Sequence, residues 1–233
     1  MQRILVLNPK GGSGKTTVAI NLACYFASLG DHPLLSDDDP QGSSTRWLKK
    51  RTPQQAAIHG LSAFDRNARV TRAWQMRIPP DAQHVIVDTP AAVPAQELPE
   101  ITKNADAIIV PVLPSDIDIH ACSKCIADLL LIAKVRRGEN RIGVIANRVR
   151  RNTLIYQSLM RFLSTLRIPV IATLRDSQNY VRAAELGIGL HEMKAQSVAR
   201  DLDDWEPLLA WLKDKEATAG AAPRPVGALP EPA

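Results

Sequence analysis

The feature of this sequence that most constrains its fold is a glycine-rich segment directly after the first apolar run. Residues 10–17 read Lys-Gly-Gly-Ser-Gly-Lys-Thr-Thr, and they follow the apolar residues 3–7. Glycines let the backbone turn so that several N–H groups point at one anion, and the N-terminus of a following helix adds its dipole. The segment therefore predicts a strand, a phosphate-binding loop and a helix, in that order.

The residue types in this loop suit the phosphates of a nucleotide. Lys15 can reach the β and γ phosphates and neutralise their charge, which makes it a catalytic candidate, and the Thr16 hydroxyl can coordinate magnesium. Thr17 is placed for the α phosphate. Pro9 stands where the G-x-x-x-x-G-K-[ST] pattern has glycine, so the alternative is a turn that merely joins strand to helix. The predicted nucleotide-binding residues of the loop are Lys10, Gly11, Gly12, Ser13, Gly14, Lys15, Thr16 and Thr17.

Short runs of branched apolar residues alternate with helix-like segments through most of the chain. The runs are residues 3–7, 33–36, 84–88, 107–112, 141–147 and 170–174, and the helical segments are residues 15–29, 43–51, 96–104, 117–136, 153–166 and 178–186. The runs are too continuously apolar for half-exposed antiparallel strands, which favours strands buried on both faces. We predict an α/β fold, a doubly wound and mostly parallel sheet flanked by helices on both faces.

The remaining parts of the chain give weaker patterns. The segment 51–79 reads less clearly, with a short edge strand expected near residues 57–58. A last helix is expected at about residues 198–214, where Pro207 would kink or divide it. Prolines then accumulate among alanine and glycine, a composition that predicts disorder. The predicted organisation is one domain over residues 1–216 and a disordered tail over residues 217–233.

Composition narrows the class of protein without naming it. The 233 residues include 29 Lys and Arg against 24 Asp and Glu, so the formal charge of +5 permits contact with an anionic partner. Aromatic residues make up only 4%, which argues against a platform that stacks the bases of single strands. Three cysteines suit a reducing compartment, and the N-terminal residues lack the apolar length of a signal peptide. We expect a cytoplasmic protein.

Three further segments accompany the phosphate loop in order along the chain. Residues 36–43 read Ser-Asp-Asp-Asp-Pro-Gln-Gly-Ser, residues 84–90 read His-Val-Ile-Val-Asp-Thr-Pro, and residues 111–118 read Pro-Val-Leu-Pro-Ser-Asp-Ile-Asp. With the extra lysine at the start of the loop, they resemble the deviant Walker A loop, the D-x-D-P-Q-G switch, the Walker B strand and the P-V-x-P-S-x-x-D segment of ParA/MinD ATPases, ParA branch. The resemblance covers roughly residues 1–190 and implies a P-loop ATPase that uses ATP and Mg²⁺.

The resemblance also implies roles for single residues. Lys10 would reach across an ATP-dependent sandwich homodimer to the partner's phosphates, although a solvated lysine is the plain alternative. Asp39 would orient the attacking water with Asp37 nearer the metal shell, the alternative being an acidic turn before a helix. Asp88 would hold magnesium through water, or else only cap its strand. Asn147 resembles the adenine-contacting asparagine, although asparagine also favours strand-ending turns.

Basic residues are concentrated between residues 134 and 151, where seven lysines and arginines accompany one glutamate. Such a stretch suits salt-sensitive attraction to DNA phosphates, and a solvated, salt-bridged surface is the alternative. ParA-like proteins bind nucleoid DNA non-specifically, so the resemblance implies double-stranded DNA, a nucleoid location and a ParB-like adaptor as partner. The predicted DNA-binding residues are Arg136, Arg137, Arg148, Arg150, Arg151 and Arg175.

Two alternative functions stay open from the sequence. A MinD-like ATPase would attach to a membrane through a basic amphipathic last helix, but residues 200–206 are acidic, so no membrane partner is expected. An iron–sulfur carrier ATPase would use a cysteine pair, and Cys122 and Cys125 form a C-x-x-C sequence. At that spacing the two cysteines share one helix face, where packing explains them equally well.

Overall fold

The computed structural model describes residues 1–64 and 78–221, which form strands and helices in alternation. The strands are β1 (Gln2–Val6), β2 (Leu34–Asp37), β3 (His59–Ser62), β4 (His84–Asp88), β5 (Ala107–Val112), β6 (Ile142–Val149) and β7 (Val170–Arg175). The helices are α1 (Lys15–Ser28), α2 (Ser43–Leu48), α3 (Leu98–Thr102), α4 (Asp116–Leu131), α5 (Leu154–Thr165), α6 (Gln178–Leu186) and α7 (Ala195–Ala221). Short 3₁₀ turns lie at Ala95–Glu97, Arg137–Glu139 and Leu190–Glu192.

All seven strands pair in parallel in one sheet, in the order β3-β2-β4-β1-β5-β6-β7. The predicted doubly wound sheet is therefore confirmed. Asp88 at the end of β4 is in register with Val6 on one side and with Asp37 on the other. The register brings the phosphate loop and two motif aspartates to one edge of the sheet. The edge strand β3 begins at His59, just after its predicted position. It pairs with β2, where His59 is opposite Leu34.

The sheet buries apolar side chains on both of its faces. In β1, Ile4 and Val6 belong to one core cluster, while Leu5 belongs to the other, as the alternation of side chains along a strand requires. The first cluster is covered by α1 and α7, and the second by α4 and α5. This double burial explains why the strand sequences lack polar alternation.

Helix α7 differs from its prediction at both ends. It begins at Ala195 and runs through Pro207 to Ala221 as one helix. Burial of Trp205 and Leu208 beside the proline offsets the cost of about 3 kcal/mol that an internal proline brings. Residues 217–221, predicted as the start of a disordered tail, are helical because alanine has the highest helix propensity and the prolines come later.

Parts of two predicted segments lie outside the described residues, namely 65–77 of the segment 51–79 and 222–233 of the tail. Helix α4 ends at Leu131, five residues before its predicted end, because Lys134 has a φ of +56° that no right-handed helix contains. Within residues 1–64 and 78–221, no helix combines the length and the apolar character that crossing a bilayer requires.

A buried ion pair ties the chain just after α2 to the C-terminal half. Arg51 Nη2 lies 2.7 Å from Glu192 Oε1, and Arg51 Nη1 lies 2.9 Å from Glu192 Oε2. The same guanidinium donates to the carbonyl oxygens of Ala56 and Gly187. Such a two-pronged pair fixes orientation as well as distance. The end of the α2 segment is thereby anchored to the turn before Leu190–Glu192.

Candidate nucleotide-binding site

The loop between β1 and α1 has the backbone of an anion-binding turn. Gly12 and Gly14 have φ values of +77° and +96°, in the left-handed region that favours glycine. Gly14 is also the N-cap of α1, so no side chain covers the first amides of that helix. Thr16 and Thr17 lie in its first turn. The arrangement suits phosphate groups at the helix N-terminus.

Asn147, two residues before the end of β6, is hydrogen-bonded to this loop. Its Nδ2 donates to the carbonyl oxygen of Ser13 at 2.8 Å, and its Oδ1 accepts from the backbone N–H of Arg148 at 3.0 Å. A Cβ atom added at Gly14 would meet Asn147 Nδ2 at 2.1 Å. A larger residue at position 14 would displace the Asn147 amide and would also be strained by the positive φ. The predicted adenine contact of Asn147 stays a prediction.

Asp88 lies at the centre of the polar groups beside the loop. Its Oδ2 accepts hydrogen bonds from Thr16 Oγ1 at 2.8 Å and from Ser44 Oγ at 2.7 Å. Its Oδ1 is buried and has no hydrogen-bond partner among the described residues. Burial raises the pKa of Asp88 to about 6. An unpaired buried carboxylate oxygen beside a threonine hydroxyl fits a hydrated Mg²⁺, which takes oxygen ligands.

Lys15 is the buried cation of the site. Its side chain points back over the loop, where Nζ donates to the carbonyl oxygen of Lys10 at 3.2 Å. Burial lowers the pKa of Lys15, while the nearby carboxylates of Asp88 and Asp39 act in the opposite direction. The structure thus brings together the lysine and two of the aspartates that the sequence assigns to one site.

The three consecutive aspartates have different surroundings. Asp37 is fully buried, and its oxygens accept from the backbone N–H groups of Thr45 at 2.7 Å and Asp39 at 3.3 Å. Asp38 accepts from Ser36 Oγ, and burial raises its pKa. Asp39 is half-buried and accepts from the backbone N–H of Gln41. Asp37 therefore holds the start of α2, whereas Asp39 faces the loop region; their predicted metal and water roles stay predictions.

Lys10 makes the contact that sequence interpretation did not foresee. Its Nζ lies 2.5 Å from Oδ2 of Asp118, a residue that is 2% exposed. Ser115 Oγ donates to the same carboxylate oxygen, and the Asp118 N–H returns a bond to Ser115 Oγ. Asn8 accepts from the Lys10 N–H and donates to the Pro111 carbonyl oxygen. Asp118 is the last position of the P-V-x-P-S-x-x-D segment, and that motif could have identified it as a site residue. Ser44, which donates to Asp88, lies two residues after the D-x-D-P-Q-G motif, and that position could have identified it.

The basic stretch does not form one surface, because strand β6 runs through it. Arg136 and Arg137 precede β6, whereas Arg148, Arg150 and Arg151 lie at or beyond its other end. Strand residues 142–147 lie between the two groups and span about 20 Å. The predicted DNA-binding arginines therefore lie at opposite edges of the sheet.

The two groups also differ in their charge partners. At the carboxyl edge Arg148 and Arg150 both pair with Asp176, at 3.3 and 3.2 Å. Nearby, Arg151 pairs with Asp204 at 3.0 Å and Arg175 with Asp201 at 2.6 Å. At the amino edge a cavity of about 130 Å³ is lined by arginines that have no ion pair within the described part of the chain; they are Arg136, Arg137 and Arg167.

The two cysteines of the C-x-x-C sequence lie inside the core. Cys122 and Cys125 are 0% and 3% exposed and pack in the cluster between the sheet, α4 and α5. Burial raises the pKa of both thiols to about 12. They therefore act as small apolar groups in this structure.

A phosphate loop at the β1–α1 junction, with a buried aspartate at the end of the neighbouring strand, defines a P-loop nucleotide-binding protein. The chain belongs to the CobQ/CobB/MinD/ParA nucleotide binding domain family, whose model matches residues 4–190. The resemblance to ParA/MinD proteins that the four motifs suggest is thereby confirmed.

Two sequence relatives of this chain have the same name. A maintenance of carboxysome distribution protein A from Halothiobacillus neapolitanus is 24% identical over 194 residues, which cover 83% of this chain and 88% of that protein. A protein of the same name from Gloeobacter kilaueensis is 37% identical over 116 residues, so the match spans 50% of this chain and about half, 51%, of that relative.

A solved structure has the same fold. A plasmid partition protein of Borrelia burgdorferi bound to AMPPNP superimposes with a TM-score of 0.64 and 16% identity, over 92% of this chain and 99% of that one. At this identity the likeness concerns the fold alone.

Proposed function

We propose that this protein is a ParA-type ATPase that segregates or positions a plasmid, a chromosome or a large protein cargo. The observation that carries the proposal is Lys10, a second loop lysine held by a buried carboxylate beside an otherwise complete phosphate loop. The names of two relatives, both maintenance of carboxysome distribution proteins, support the positioning role.

In this proposal the chain's own groups hold and polarise ATP. The amides of residues 11–16 and the Lys15 ammonium surround the phosphates and neutralise their charge. Thr16 and Asp88 would hold Mg²⁺, which supplies further charge neutralisation when bound. Asp39 is half-buried and close enough to Lys15 to act on its charge, and its carboxylate would orient the attacking water, as the family resemblance implies. Hydrolysis is slow until an adaptor stimulates it.

Dimerisation follows from the position of Lys10. Its ammonium pairs with the Asp118 carboxylate, and a phosphate of a second subunit's ATP would offer another anion of higher charge. The lysine exchanges one anionic partner for the other when two ATP-loaded copies meet. The homodimer therefore forms with ATP and separates after hydrolysis.

The dimer binds double-stranded DNA without sequence preference through its arginines. Those at the amino edge are the stronger candidates, because Arg136 and Arg137 need not break an ion pair to reach a phosphate. The apolar stripe of α7 packs against the sheet through Trp205, Leu208 and Leu212, so this stripe is not available as a membrane anchor.

The test is ATP-dependent self-association measured by sedimentation. Lys10→Ala should keep nucleotide binding and lose the ATP-induced dimer, whereas the exposed Lys103→Ala should dimerise as the parent does. Asp39→Ala should accumulate the ATP dimer, because hydrolysis no longer separates it. A Lys10→Ala protein that dimerises normally with ATP would refute the cross-subunit role.

A further inference from the structure

Three of the five histidines gather at one edge of the sheet, opposite the phosphate loop. His32 precedes β2, His59 opens β3 and His84 opens β4. These three strands are neighbours and parallel, so their amino ends lie side by side. Asp81 lies in the turn just before β4 and joins this edge.

His32, His59 and Asp81 present nitrogen and oxygen atoms to one another. One ligand atom from each lies within 4.8 Å of the other two. His32 Nδ1 is 2.5 Å from Asp81 Oδ2, and the two imidazole centroids are 6.4 Å apart. The side chains of His32 and Asp81 are 53% and 51% exposed, which leaves them free to adjust by rotation.

The backbone beneath these three side chains is fixed. The His59 N–H donates to the carbonyl oxygen of Pro33 at 2.9 Å, which sets β3 beside the residue that follows His32. The Ala82 N–H donates to the carbonyl oxygen of Pro79 at 3.0 Å, so Asp81 lies in a tight turn whose second residue is Pro80. Proline presets the backbone of such turns. The three groups therefore converge before any ligand binds.

From this convergence we propose that His32, His59 and Asp81 bind a divalent transition-metal ion of the Zn²⁺ type. Two imidazoles and one carboxylate are a set that zinc takes in proteins, with a water in the fourth position. In a tetrahedral site the ligand atoms are about 3.3 Å apart, so the His32–Asp81 contact of 2.5 Å opens when the ion binds. The imidazole nitrogen that each histidine offers to the ion must carry no proton.

This site is chemically and spatially separate from the nucleotide site, and it does not depend on the proposed function. Strand β4 carries Asp88 at its other end, four residues and about 13 Å beyond His84. The nucleotide site offers oxygen ligands suited to Mg²⁺, whereas imidazole nitrogen favours Zn²⁺, Co²⁺ and Ni²⁺. An excess of Mg²⁺ therefore occupies one site and leaves the other open.

A metal here would fasten the outermost strand to the sheet. Among the strands that the structure describes, β3 pairs with β2 alone, over four residues, so its contribution to the sheet is small. One ion joins the segments that precede β2 and β4 to the first residue of β3. Binding should therefore raise the stability of the folded chain, by an amount that grows with the logarithm of the metal concentration once that concentration exceeds Kd.

The experiment is calorimetric titration of the whole chain with Zn²⁺, and with Co²⁺ followed by its visible absorption, in millimolar Mg²⁺. We expect one ion per chain, a tetrahedral cobalt spectrum and a higher melting temperature. His59→Ala and, separately, Asp81→Asn should weaken binding at least about tenfold. The exposed His120→Asn serves as the matched control and should bind as the parent does.

Two results would overturn the proposal. One is a parent protein that takes up no Zn²⁺ when Mg²⁺ is in excess. The other is unchanged affinity in folded His59→Ala and Asp81→Asn proteins, because the ion would then lie elsewhere. Asp81 is half exposed, so the second variant tests the site even where the first fails to fold.

Discussion

Lys10 Nζ lies 2.5 Å from Asp118 Oδ2, so the charge of this first lysine of the phosphate loop is neutralised within its own chain. The carboxylate is buried and is oriented by Ser115, whereas the lysine side chain is 35% exposed. The buried Asp118 carboxylate thus binds a lysine side chain that is exposed enough to move to another anion. The contact gives the nucleotide-free subunit a defined resting position for Lys10.

Asp118→Asn should strengthen ATP-dependent dimerisation. The amide keeps a hydrogen bond to Ser115 but no longer competes with phosphate for Lys10, so the dimer should form at several-fold lower protein concentration. Sedimentation with ATP measures this, with Asp116→Asn, which is 84% exposed in the same helix turn, as control. Equal or weaker dimerisation of Asp118→Asn would show that the pair does not restrain Lys10.

Asp88→Asn should stabilise the nucleotide-free protein in a pH-dependent way. Burial raises the pKa of Asp88 from 3.8 to about 6, so the folded state favours the protonated carboxyl. The stability from this preference is complete below pH 3.8 and is lost as the pH rises through about 6. A neutral asparagine avoids that loss, which amounts to roughly 1–3 kcal/mol at neutral pH.

Urea denaturation at about pH 5 and about pH 8 measures this difference. The gain of Asp88→Asn over the parent should be larger at the higher pH, while its Mg²⁺-dependent ATP binding should be lost. The exposed Asp203→Asn controls for the change of net charge. A gain that is the same at both pH values would mean that the Asp88 carboxyl is not the titrating group.

Asn147→Ala should weaken ATP and GTP binding alike. Its Nδ2 holds the Ser13 carbonyl oxygen, so removal loosens the loop that both nucleotides share. Titrations with the two nucleotides measure this, and the exposed Asn152→Ala should bind both normally. A loss confined to ATP would instead support the adenine contact that the family resemblance implies.

Replacing Arg136 and Arg137 together with alanine should weaken DNA binding and reduce its salt dependence. Each phosphate contact contributes about 0.9 to the slope of log affinity against log salt, so two contacts lower it by about 1.8. Binding of arbitrary duplex DNA in ATP at several salt concentrations measures the slope.

The control for this double variant removes the same charge elsewhere, at the exposed Arg182 and Arg200. Arg148 and Arg150, which share Asp176, should have a smaller effect when replaced together. The opposite ranking of the two edges would place the DNA at the carboxyl edge of the sheet.

The sequence was most informative where one local rule decides the structure. Apolar runs between helical segments predicted the parallel sheet, and the glycines predicted the loop after β1. The course of α7 through Pro207 was not predictable, because the burial of Trp205 that offsets the proline depends on distant residues. The division of the basic stretch was missed for a geometric reason, since neighbours in sequence can lie at the two ends of one strand.

The motifs did not predict contacts between segments that are distant in the sequence. The sequence supplied both Lys10 and Asp118, but their meeting depends on β1 and β5 being neighbours in the sheet. The Asn147 support of the loop depends on β6 in the same way. The motifs identified the residues of the site, and the order of the strands in the sheet determines which of these residues are in contact.

The ion pair of Arg51 with Glu192 limits how far the switch segment can move. Asp37 fixes the start of α2 through the Thr45 N–H, and Arg51 fixes the chain just beyond its end. Asp38 and Asp39 are held as well, by the Asp88 carbonyl oxygen and by Asp37, so among the described residues between the two anchors it is residues 40–42 that make no hydrogen bond to the sheet. A displacement of this segment on nucleotide binding would therefore be confined to residues 40–42, because the chain on one side is held by the sheet and on the other by Glu192.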